Sequence, residues 1–390
     1  MHVDDINRHL VATGHSVTLA PLSVDEPRVV RCRPTGDLVQ PIELQDQPHD
    51  WFAEKLSLAD AYVATILAQN EAIDLIHSHD WLAALVGRRL SERTGWPHLT
   101  TIHTLAEIQR QRVGLPGQLP VHLGQVELEK ELCRGPGSIL TVGQSIKELV
   151  IEFTDLAPER VGVIPNGVDL RRFSPPPVAA VTDLRRRLAP NGEDLVLFVG
   201  RLAPQKGLDF LLRSTYRVRS ARPATRWVMV GDHVASYMMK PACDRAIAEG
   251  GYGDHLAFEG HVPRDGVLLY YHAADCIVLP SLFESCPYVA LEAMAAGTCV
   301  IASDLDSLRE LIVDHESGLL VPIDGNQAIQ GPSVSALAEA QIEVLDSRSL
   351  RQTLSKTARD SVAERYPLET QLEAMDALYA NLSGSLSATA

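Results

Sequence analysis

Residues 276–302 read CIVLPSLFESCPYVALEAMAAGTCVIA, which is an apolar run, a polar turn, a helix-like stretch and a second apolar run. The first run, Cys276–Leu279, lacks charged residues and is typical of a strand buried on both faces of a parallel sheet. Pro280 and Ser281 end this strand, and residues 299–302 form the next one. The order strand, helix, strand predicts one unit of a parallel α/β fold.

Two carboxylates in this stretch have predictable positions. Glu284 falls in the turn at the carboxyl end of the first strand, and Glu292 falls on the helix that follows. Open α/β sheets bind ligands outside the carboxyl ends of their strands, so both glutamates are candidate ligand-binding residues. The surface of a solvated helix also carries glutamates at this spacing, so the two residues taken alone leave both interpretations open.

The same alternation of short apolar runs and helical stretches continues along the chain and predicts two doubly wound α/β domains. In the first half the strand-like runs are 16–20, 75–77, 99–102, 138–142 and 161–164. In the second half they are 195–199, 227–230, 256–258, 276–279, 299–302 and 319–321. Residues 171–182, rich in proline, predict a linker between the halves. A final helix is predicted over 368–381, with its apolar face formed by Leu372, Met375, Leu378 and Tyr379.

Composition limits the classes of function. The chain has 390 residues, 45% of them hydrophobic, which is enough for two domains with sizeable cores. Its formal net charge of −15 argues against nucleic acid as a partner and against a strongly basic membrane-binding face. No apolar segment reaches membrane-spanning length, so we expect no stable membrane insertion. The six cysteines show no paired spacing, which favours reduced thiols and a cytoplasmic protein.

A second candidate segment is Gly200–Gly207, GRLAPQKG, which follows a predicted strand and opens a predicted helix. Backbone N–H groups at a helix start attract anions, and Arg201 and Lys206 add two positive charges there. The segment is not a Walker loop, because no Gly-Lys-Ser/Thr follows, and it is not Gly-x-Gly-x-x-Gly. By itself it fits a structural turn as well as a phosphate site.

Together these segments resemble a known family. The string Ser-x-x-Glu-x-x-Pro-x-x-x-Leu-Glu-Ala-Met-Ala-x-Gly, residues 281–297, resembles the donor-sugar signature of retaining glycosyltransferases related to glycogen synthase and sucrose synthase, the family 4 type. The resemblance implies the GT-B architecture, two Rossmann-like domains facing each other across a cleft. It divides the chain into an acceptor domain, 1–172, a nucleotide-sugar domain, 173–366, a helix that crosses back to the first domain, 367–382, and a disordered tail, 383–390.

The resemblance also assigns roles to individual residues. Gly200, Arg201 and Lys206 correspond to the clamp on the diphosphate of the donor. Glu292 would accept hydrogen bonds from the donor ribose, and Glu284 would contact the donor sugar near the anomeric carbon. The remaining donor-binding positions are the base-contacting His261 and Val262 and the helix-start residues Ser285, Cys286, Tyr288 and Val289. The catalytic set is His103, Arg201, Lys206 and Glu284, with no metal and no cofactor, since the nucleotide-sugar is a substrate.

Acceptor-side residues are expected in the first domain. His103 ends a predicted strand, and its setting, Thr-Ile-His-Thr, resembles the family's segment that positions the sugar. His79 and Asp80 end another strand at the same edge, where solvated turn residues are equally plausible. Family members that bind a phosphorylated inositol carry basic side chains on the helix near 121–129, whereas this chain has Glu127 and Glu129 there. We therefore expect a neutral or cationic acceptor, such as a sugar, a polyol or an aminocyclitol.

The resemblance has one gap and leaves alternatives. Family members begin with a strand and a Gly-rich loop, but here the first predicted helix, which ends near Gly14, comes first. We expect a start upstream of Met1. Transfer from a nucleotide-sugar, UDP-linked and with retention, is the favoured function, in secondary metabolism. The alternatives are a degenerate nucleotide-sugar-binding protein without transfer activity and a GT-B epimerase. The sequence leaves a homodimer open.

Overall fold

The computed structural model describes residues 2–20, 30–32, 51–69, 72–113, 123–231, 255–324 and 331–384. The chain divides into two compact units. Unit 1 takes Met1–Ile108, Gly117–Gly167 and Leu368–Ala390, and unit 2 takes Gln109–Pro116 and Val168–Pro367. No helix within the described ranges is both long enough and apolar enough to cross a membrane.

Unit 1 is built around a parallel sheet of four strands in the order β3-β4-β5-β6. The strands of this sheet are β3 (Ile76–His79), β4 (His98–Ile102), β5 (Ser138–Thr141) and β6 (Val161–Val163). The helices around it are α1 (His2–Ala12), α2 (Trp51–Ala68), α3 (Asp80–Thr94), α4 (Ala106–Val113), α5 (Leu123–Arg134) and α6 (Gln144–Thr154). The predicted alternation of strand and helix is therefore confirmed in this unit. It arises because neighbouring parallel strands are joined by helical crossovers.

The final helix, α14 (Leu368–Gly384), belongs to unit 1 although it follows unit 2 in the chain. Its Met375 is buried in one cluster with Ile6, Leu99 and Leu140, and the rest of its predicted apolar face packs on the same cluster. Gln371, also buried, accepts a 2.8 Å hydrogen bond from the backbone N–H of Gly167. The tail predicted from residue 383 is wrong at its first two positions, since the helix continues to Gly384.

The amino-terminal strand pair stands apart from this sheet. β1 (Val17–Leu19) pairs antiparallel with β2 (Val30–Cys32), and within the described ranges neither pairs with β3 to β6. The helix that precedes β1 ends at Ala12, and Gly14 follows it with a positive φ of 97°. That conformation favours glycine, so Gly14 stops the helix as predicted.

Unit 2 contains a parallel sheet of six strands in the order β12-β11-β10-β7-β8-β9. Its strands are β7 (Asp194–Val199), β8 (Thr225–Val230), β9 (Leu256–Gly260), β10 (Cys276–Leu279), β11 (Val300–Ser303) and β12 (Leu319–Val321). A small hairpin, β13 (Ile323–Asp324) with β14 (Gly331–Pro332), follows. The helices are α7 (Val178–Leu188), α8 (Leu208–Ala221), α9 (Arg264–Ala273), α10 (Tyr288–Ala296), α11 (Asp306–Arg309), α12 (Val334–Asp346) and α13 (Arg348–Arg365).

The strand order places the first strand of unit 2, β7, in the middle of the sheet, between β10 and β8. The chain winds outward in one direction through β8 and β9 and in the other through β10, β11 and β12. At this switch point the loops after β7 and β10 lead to opposite faces and leave a crevice at the carboxyl ends of the strands. Those two loops are the two segments that the sequence analysis selected.

The core of unit 2 explains why its strands read as unbroken apolar runs. All four residues of β10 and the helix residues Ala290, Leu291 and Met294 are buried, so the strand is covered on both faces.

One prediction, that of the linker between the two halves of the chain, is wrong in part. Residues 178–182, assigned to a linker, begin helix α7, because the three prolines at 175–177 end the extended segment and Pro177 stands at the N-cap.

Candidate functional site

The loops after β7 and β10 are packed directly against each other. Gly207 has a φ of +64°, and a Cβ atom added there would lie 1.8 Å from the carbonyl oxygen of Pro280. The backbone N–H of Leu282 donates a 2.8 Å hydrogen bond to the carbonyl of Gln205. Glycine is therefore required at 207 both for the left-handed backbone and for the close approach.

This contact brings together two residues that the sequence places far apart. Lys206 Nζ lies 2.7 and 3.0 Å from the two carboxylate oxygens of Glu284. The exposed fractions of the two side chains are 19% and 12%, so the ion pair is largely shielded from solvent. The hydroxyl of Ser281 also donates to Glu284 Oε1 at 2.6 Å. The predicted phosphate clamp and the predicted sugar contact thus touch each other at one point of the switch crevice.

The backbone of Glu284 is held as well. Its carbonyl accepts a 2.7 Å hydrogen bond from the hydroxyl of Ser307, at the start of the short helix α11. Sequence reasoning missed Ser281 and Ser307 as supports, because serines are common in turns and nothing in the spacing ties residue 307 to residue 284.

The loops after β7, β8 and β9 are also tied together through glycines. Gly200 N–H donates to the carbonyl of Val230, and Gly231 N–H donates to the carbonyl of Gly260, both at 2.9 Å. A Cβ atom on Gly231 would lie 1.8 Å from the carbonyl oxygen of Gly200. The three loops therefore lie close together at the carboxyl edge of the sheet. Arg201 and His261 are exposed at this edge, and Val262 is half-buried. The base-contacting role of His261 and Val262 stays a prediction.

Helix α10 begins at Tyr288, with Pro287 at its N-cap. Ser285, Cys286, Tyr288 and Val289 are half-buried at this end of the helix, where the positive end of the helix dipole lies at the same edge. Their position fits a cradle for an anion, and their contact with a donor stays a prediction.

Glu292 lies one turn further along α10 and has two partners on helix α9. The Tyr271 hydroxyl donates to its Oε2 at 2.8 Å, and Arg264 Nη2 lies 3.2 Å from its Oε1. Burial raises the pKa of Glu292 above its ordinary value, while the hydrogen bond from Tyr271 and the charge of Arg264 act in the opposite direction. Sequence analysis missed both partners, although Arg264 and Tyr271 stand two helical turns apart on one face of α9.

In unit 1, the carboxyl ends of β3 and β4 carry a line of histidines. His79 Nδ1 and His103 Nε2 share a 3.1 Å hydrogen bond, and the two rings stack with centroids 5.3 Å apart. His77 lies next to His79 and bonds to Thr101 and to the Tyr379 hydroxyl of α14, each at 2.7 Å. The predicted placement of His79 and His103 at one edge is therefore correct, and their direct contact is new.

Burial favours the neutral form of both rings. Burial, followed by the proximity of His103, lowers the pKa of His79 to about 3. Burial also lowers the pKa of His103, although the charge of Asp80 acts the other way. A neutral imidazole can orient a hydroxyl group without placing a positive charge beside it.

Asp80 and Glu129 organise the segment that follows His103. Asp80 has a φ of +60°, and its Oδ1 accepts hydrogen bonds from the backbone N–H groups of His103 and Thr104 at 2.9 and 3.2 Å. Glu129, buried on α5, accepts from the N–H of Ala106 at the start of α4 at 2.7 Å, and burial raises its pKa to about 7. Both carboxylates fix backbone in this segment.

Comparisons with known proteins place these features in a class. Residues 1–172 match the family model described as Glycosyltransferase Family 4, and residues 181–361 match the model of Glycosyl transferases group 1. The D-inositol 3-phosphate glycosyltransferase of Acidothermus cellulolyticus is 33% identical over 334 residues, which cover 82% of this chain and 73% of that protein. The protein of the same name from Thermomonospora curvata is 30% identical and covers 84% and 78% of the two chains.

Among solved structures, a sucrose-phosphate synthase from Thermosynechococcus elongatus superimposes with a TM-score of 0.75 and 26% identity, covering 88% of this chain and 83% of that one. Two Rossmann-like units with parallel sheets in one chain, and a crevice at the switch point of the second sheet, define a GT-B glycosyltransferase. The chain belongs to glycosyltransferase family 4. It is a glycosyltransferase.

Proposed function

We propose that the protein transfers a hexosyl group from a UDP-sugar to a hydroxyl group of a small polyol, with retention of the anomeric configuration. The observation that carries the proposal is the contact of Lys206 with Glu284 at the switch crevice of unit 2. This contact sets a phosphate-binding cation beside a carboxylate that can accept hydrogen bonds from sugar hydroxyls. The diphosphate and the sugar of one donor molecule need such groups at adjacent positions.

In the proposed donor complex each residue has a separate task. Arg201 and Lys206 neutralise the diphosphate as it leaves, an interaction that strengthens as negative charge develops in the transition state. The backbone N–H groups at the start of α10 add to this anion site. Glu292, held by Tyr271 and Arg264, accepts hydrogen bonds from the ribose hydroxyls. No metal and no cofactor is part of this proposal.

The proposed reaction needs no protein nucleophile. The bond from the anomeric carbon to the leaving phosphate oxygen breaks, and the acceptor oxygen bonds to the same face of that carbon. The acceptor proton passes to the phosphate oxygen that leaves. Glu284 is paired with Lys206, which suits an orienting role better than attack on carbon. His103, kept neutral by burial, would orient a hydroxyl of the transferred sugar without placing a cation beside a developing oxocarbenium ion.

For the acceptor we propose a cyclic polyol without a phosphate group. The relatives are named for D-inositol 3-phosphate, which supports a cyclitol-like acceptor. The first two turns of α5 carry the exposed Glu127 and no basic residue before Lys130, which favours a neutral or cationic acceptor over a phosphorylated one.

The test is a transfer assay that uses UDP-glucose and UDP-N-acetylglucosamine as donors. The acceptors are myo-inositol, D-inositol 3-phosphate and an aminocyclitol, and product configuration is read by NMR. We expect an α-linked product, with an unphosphorylated acceptor preferred. A β-linked product would refute retention, and preference for the phosphorylated acceptor would refute the acceptor proposal. Donor turnover in the absence of every acceptor, giving an epimeric donor, would indicate the epimerase instead.

A further inference from the structure

We infer that the Lys206–Glu284 ion pair makes the site discriminate between the intact nucleotide-sugar and the free nucleoside diphosphate, in favour of the nucleotide-sugar. This inference rests on the proposed function, in which Lys206 binds the diphosphate and Glu284 binds the sugar. The ion pair joins the two parts of the donor site before any ligand arrives. When Lys206 binds a phosphate, Glu284 therefore has to share or lose its ammonium partner.

The backbones that carry these two side chains are held close to each other. Glu284 is fixed through its carboxylate by Ser281 and through its carbonyl by Ser307. Lys206 precedes Gly207, whose backbone lies against the carbonyl of Pro280. With both backbones held, the ammonium and the carboxylate stay within reach of each other, and a phosphate that binds Lys206 has to share or replace Glu284.

A free nucleoside diphosphate can compete with Glu284 for Lys206, but it offers the carboxylate no replacement partner. Its phosphate oxygens compete with the carboxylate for the same ammonium group, and they lie beside a second negative charge. If Glu284 gives up Lys206, a largely buried carboxylate loses its partner, which is unfavourable. The affinity of the nucleoside diphosphate is reduced accordingly.

The intact donor replaces what Glu284 loses. Its sugar hydroxyls donate hydrogen bonds to the carboxylate while its phosphates accept from Lys206, so neither charge is left without a partner. After transfer the sugar leaves, Glu284 recovers Lys206, and the product nucleoside diphosphate is bound less tightly. The ion pair thus favours substrate binding and product release with the same two side chains.

The experiment measures the dissociation constants of UDP and UDP-glucose by titration calorimetry for the wild type and for Glu284→Gln. The amide keeps the size of the side chain and removes its charge. We expect Glu284→Gln to bind UDP about tenfold more tightly than the wild type does and to lose most of the preference for UDP-glucose. In a Lys206→Met background the competition for the ammonium group no longer exists and only the repulsion between the carboxylate and the phosphates remains, so the same substitution should tighten UDP binding by a clearly smaller factor. Asp346→Asn, at an exposed carboxylate paired with Arg222, is the control and should change nothing.

The outcomes separate the inference from the proposed function. If the wild type binds neither UDP nor UDP-glucose, the proposed UDP-sugar donor is wrong. If the wild type binds both and Glu284→Gln binds UDP no more tightly, the inference alone is overturned. Should Glu284→Gln unfold, Glu284→Asp keeps the charge and withdraws the carboxylate by one methylene group. It should tighten UDP binding by a smaller factor, and unchanged UDP binding in that variant would overturn the inference as well.

Discussion

The hydroxyl of Tyr271 donates a 2.8 Å hydrogen bond to the carboxylate of Glu292, and the two side chains come from different helices. Tyr271 is 1% exposed, so this bond lies in the core of unit 2 and fixes the direction of the carboxylate. A buried carboxylate with a fixed orientation can accept two neighbouring hydroxyls without first losing side-chain freedom. In the proposed donor complex, Glu292 is therefore already oriented toward the ribose hydroxyls when the donor binds.

Tyr271→Phe should weaken UDP binding several-fold and make it more dependent on pH. The hydrogen bond from Tyr271 opposes the rise that burial causes in the pKa of Glu292, so without it the pKa rises further. The glutamate then takes up a proton at a higher pH and loses acceptor capacity. We expect the loss of affinity to be larger at pH 6 than at pH 8, as measured by calorimetry.

Tyr270→Phe is the matched control for this prediction. The neighbouring Tyr270 hydroxyl donates to Glu259, not to Glu292. UDP affinity in Tyr270→Phe should equal that of the wild type. Equal losses in the two variants would show that the tyrosines act through the stability of α9 and not through Glu292.

Gly207→Ala should disrupt both the fold around the switch crevice and nucleotide binding. The added Cβ would lie 1.8 Å from the Pro280 carbonyl oxygen, so the loops after β7 and β10 must move apart. Gly192→Ala is the control, since Gly192 also has a positive φ, +78°, but no atom within 4 Å of the added Cβ. We expect the control to lose about 1 kcal/mol of unfolding free energy from backbone strain alone.

Urea unfolding gives the stabilities, and UDP titration gives the binding. Gly207→Ala should lose clearly more stability than Gly192→Ala and should no longer bind UDP. Similar stabilities and intact binding in both variants would contradict the close contact of the loops.

His79→Phe should lower the rate of transfer by tenfold or more without changing UDP affinity. We regard His79 as a positioning residue, since it reaches the sugar only through His103 in the proposed mechanism. Phenylalanine keeps a ring next to His103 and removes the 3.1 Å hydrogen bond that orients it. UDP affinity should be unaffected, because Lys206 and Glu292 lie in unit 2.

His79→Asn distinguishes positioning from a general structural role. The amide nitrogen of asparagine occupies roughly the place of Nδ1 and can bond to His103 again. We expect partial recovery of the catalytic rate constant with the Michaelis constants unchanged. Equal inactivity of both variants, together with lowered thermal stability, would contradict the positioning role.

Glu129 should make stability fall as pH rises. Burial raises its pKa from 4.5 to about 7, so the folded protein keeps a proton that the unfolded chain releases. Between these two values the folded state binds more protons, and the free energy of unfolding decreases with increasing pH. The full cost, present above about pH 7, is about 3 kcal/mol.

Glu129→Gln removes this titration. Relative to the wild type, the variant should gain stability between pH 5 and pH 8, as measured by urea unfolding at each pH. Glu127→Gln, on the exposed side of the same helix, is the control and should show no such gain. A difference between Glu129→Gln and the wild type that is independent of pH would contradict the raised pKa.

Much of the fold was predictable because parallel strands leave a simple pattern. The run 276–279 is the strand Cys276–Leu279, and the predicted run 195–199 differs from Asp194–Val199 by one residue. The helix of residues 178–182 was missed because the prolines before it dominate the local composition, while the alanines and valines after them form the helix.

The motif residues of the site were predictable from the sequence, whereas the residues that hold them in place were not. Both glutamates, Lys206 and the glycines stand out because they repeat a family string, and the structure places Lys206 and Glu284 together. Their supports do not stand out. Ser307 and Tyr271 reach the site through the order of the strands and the packing of α9 on α10, and no local spacing in the sequence records such long-range contacts.

The most direct test of the account is thermal stabilisation by UDP, GDP and ADP, measured on the wild type, Lys206→Ala and Glu292→Ala. At a hundred times its dissociation constant a ligand adds about 2.7 kcal/mol of stability, a readily measured shift. We predict that UDP stabilises the wild type more than GDP and ADP do and that both variants lose this effect. A folded wild type that none of the three nucleotides stabilises would contradict the assignment of a working donor site to the switch crevice of unit 2.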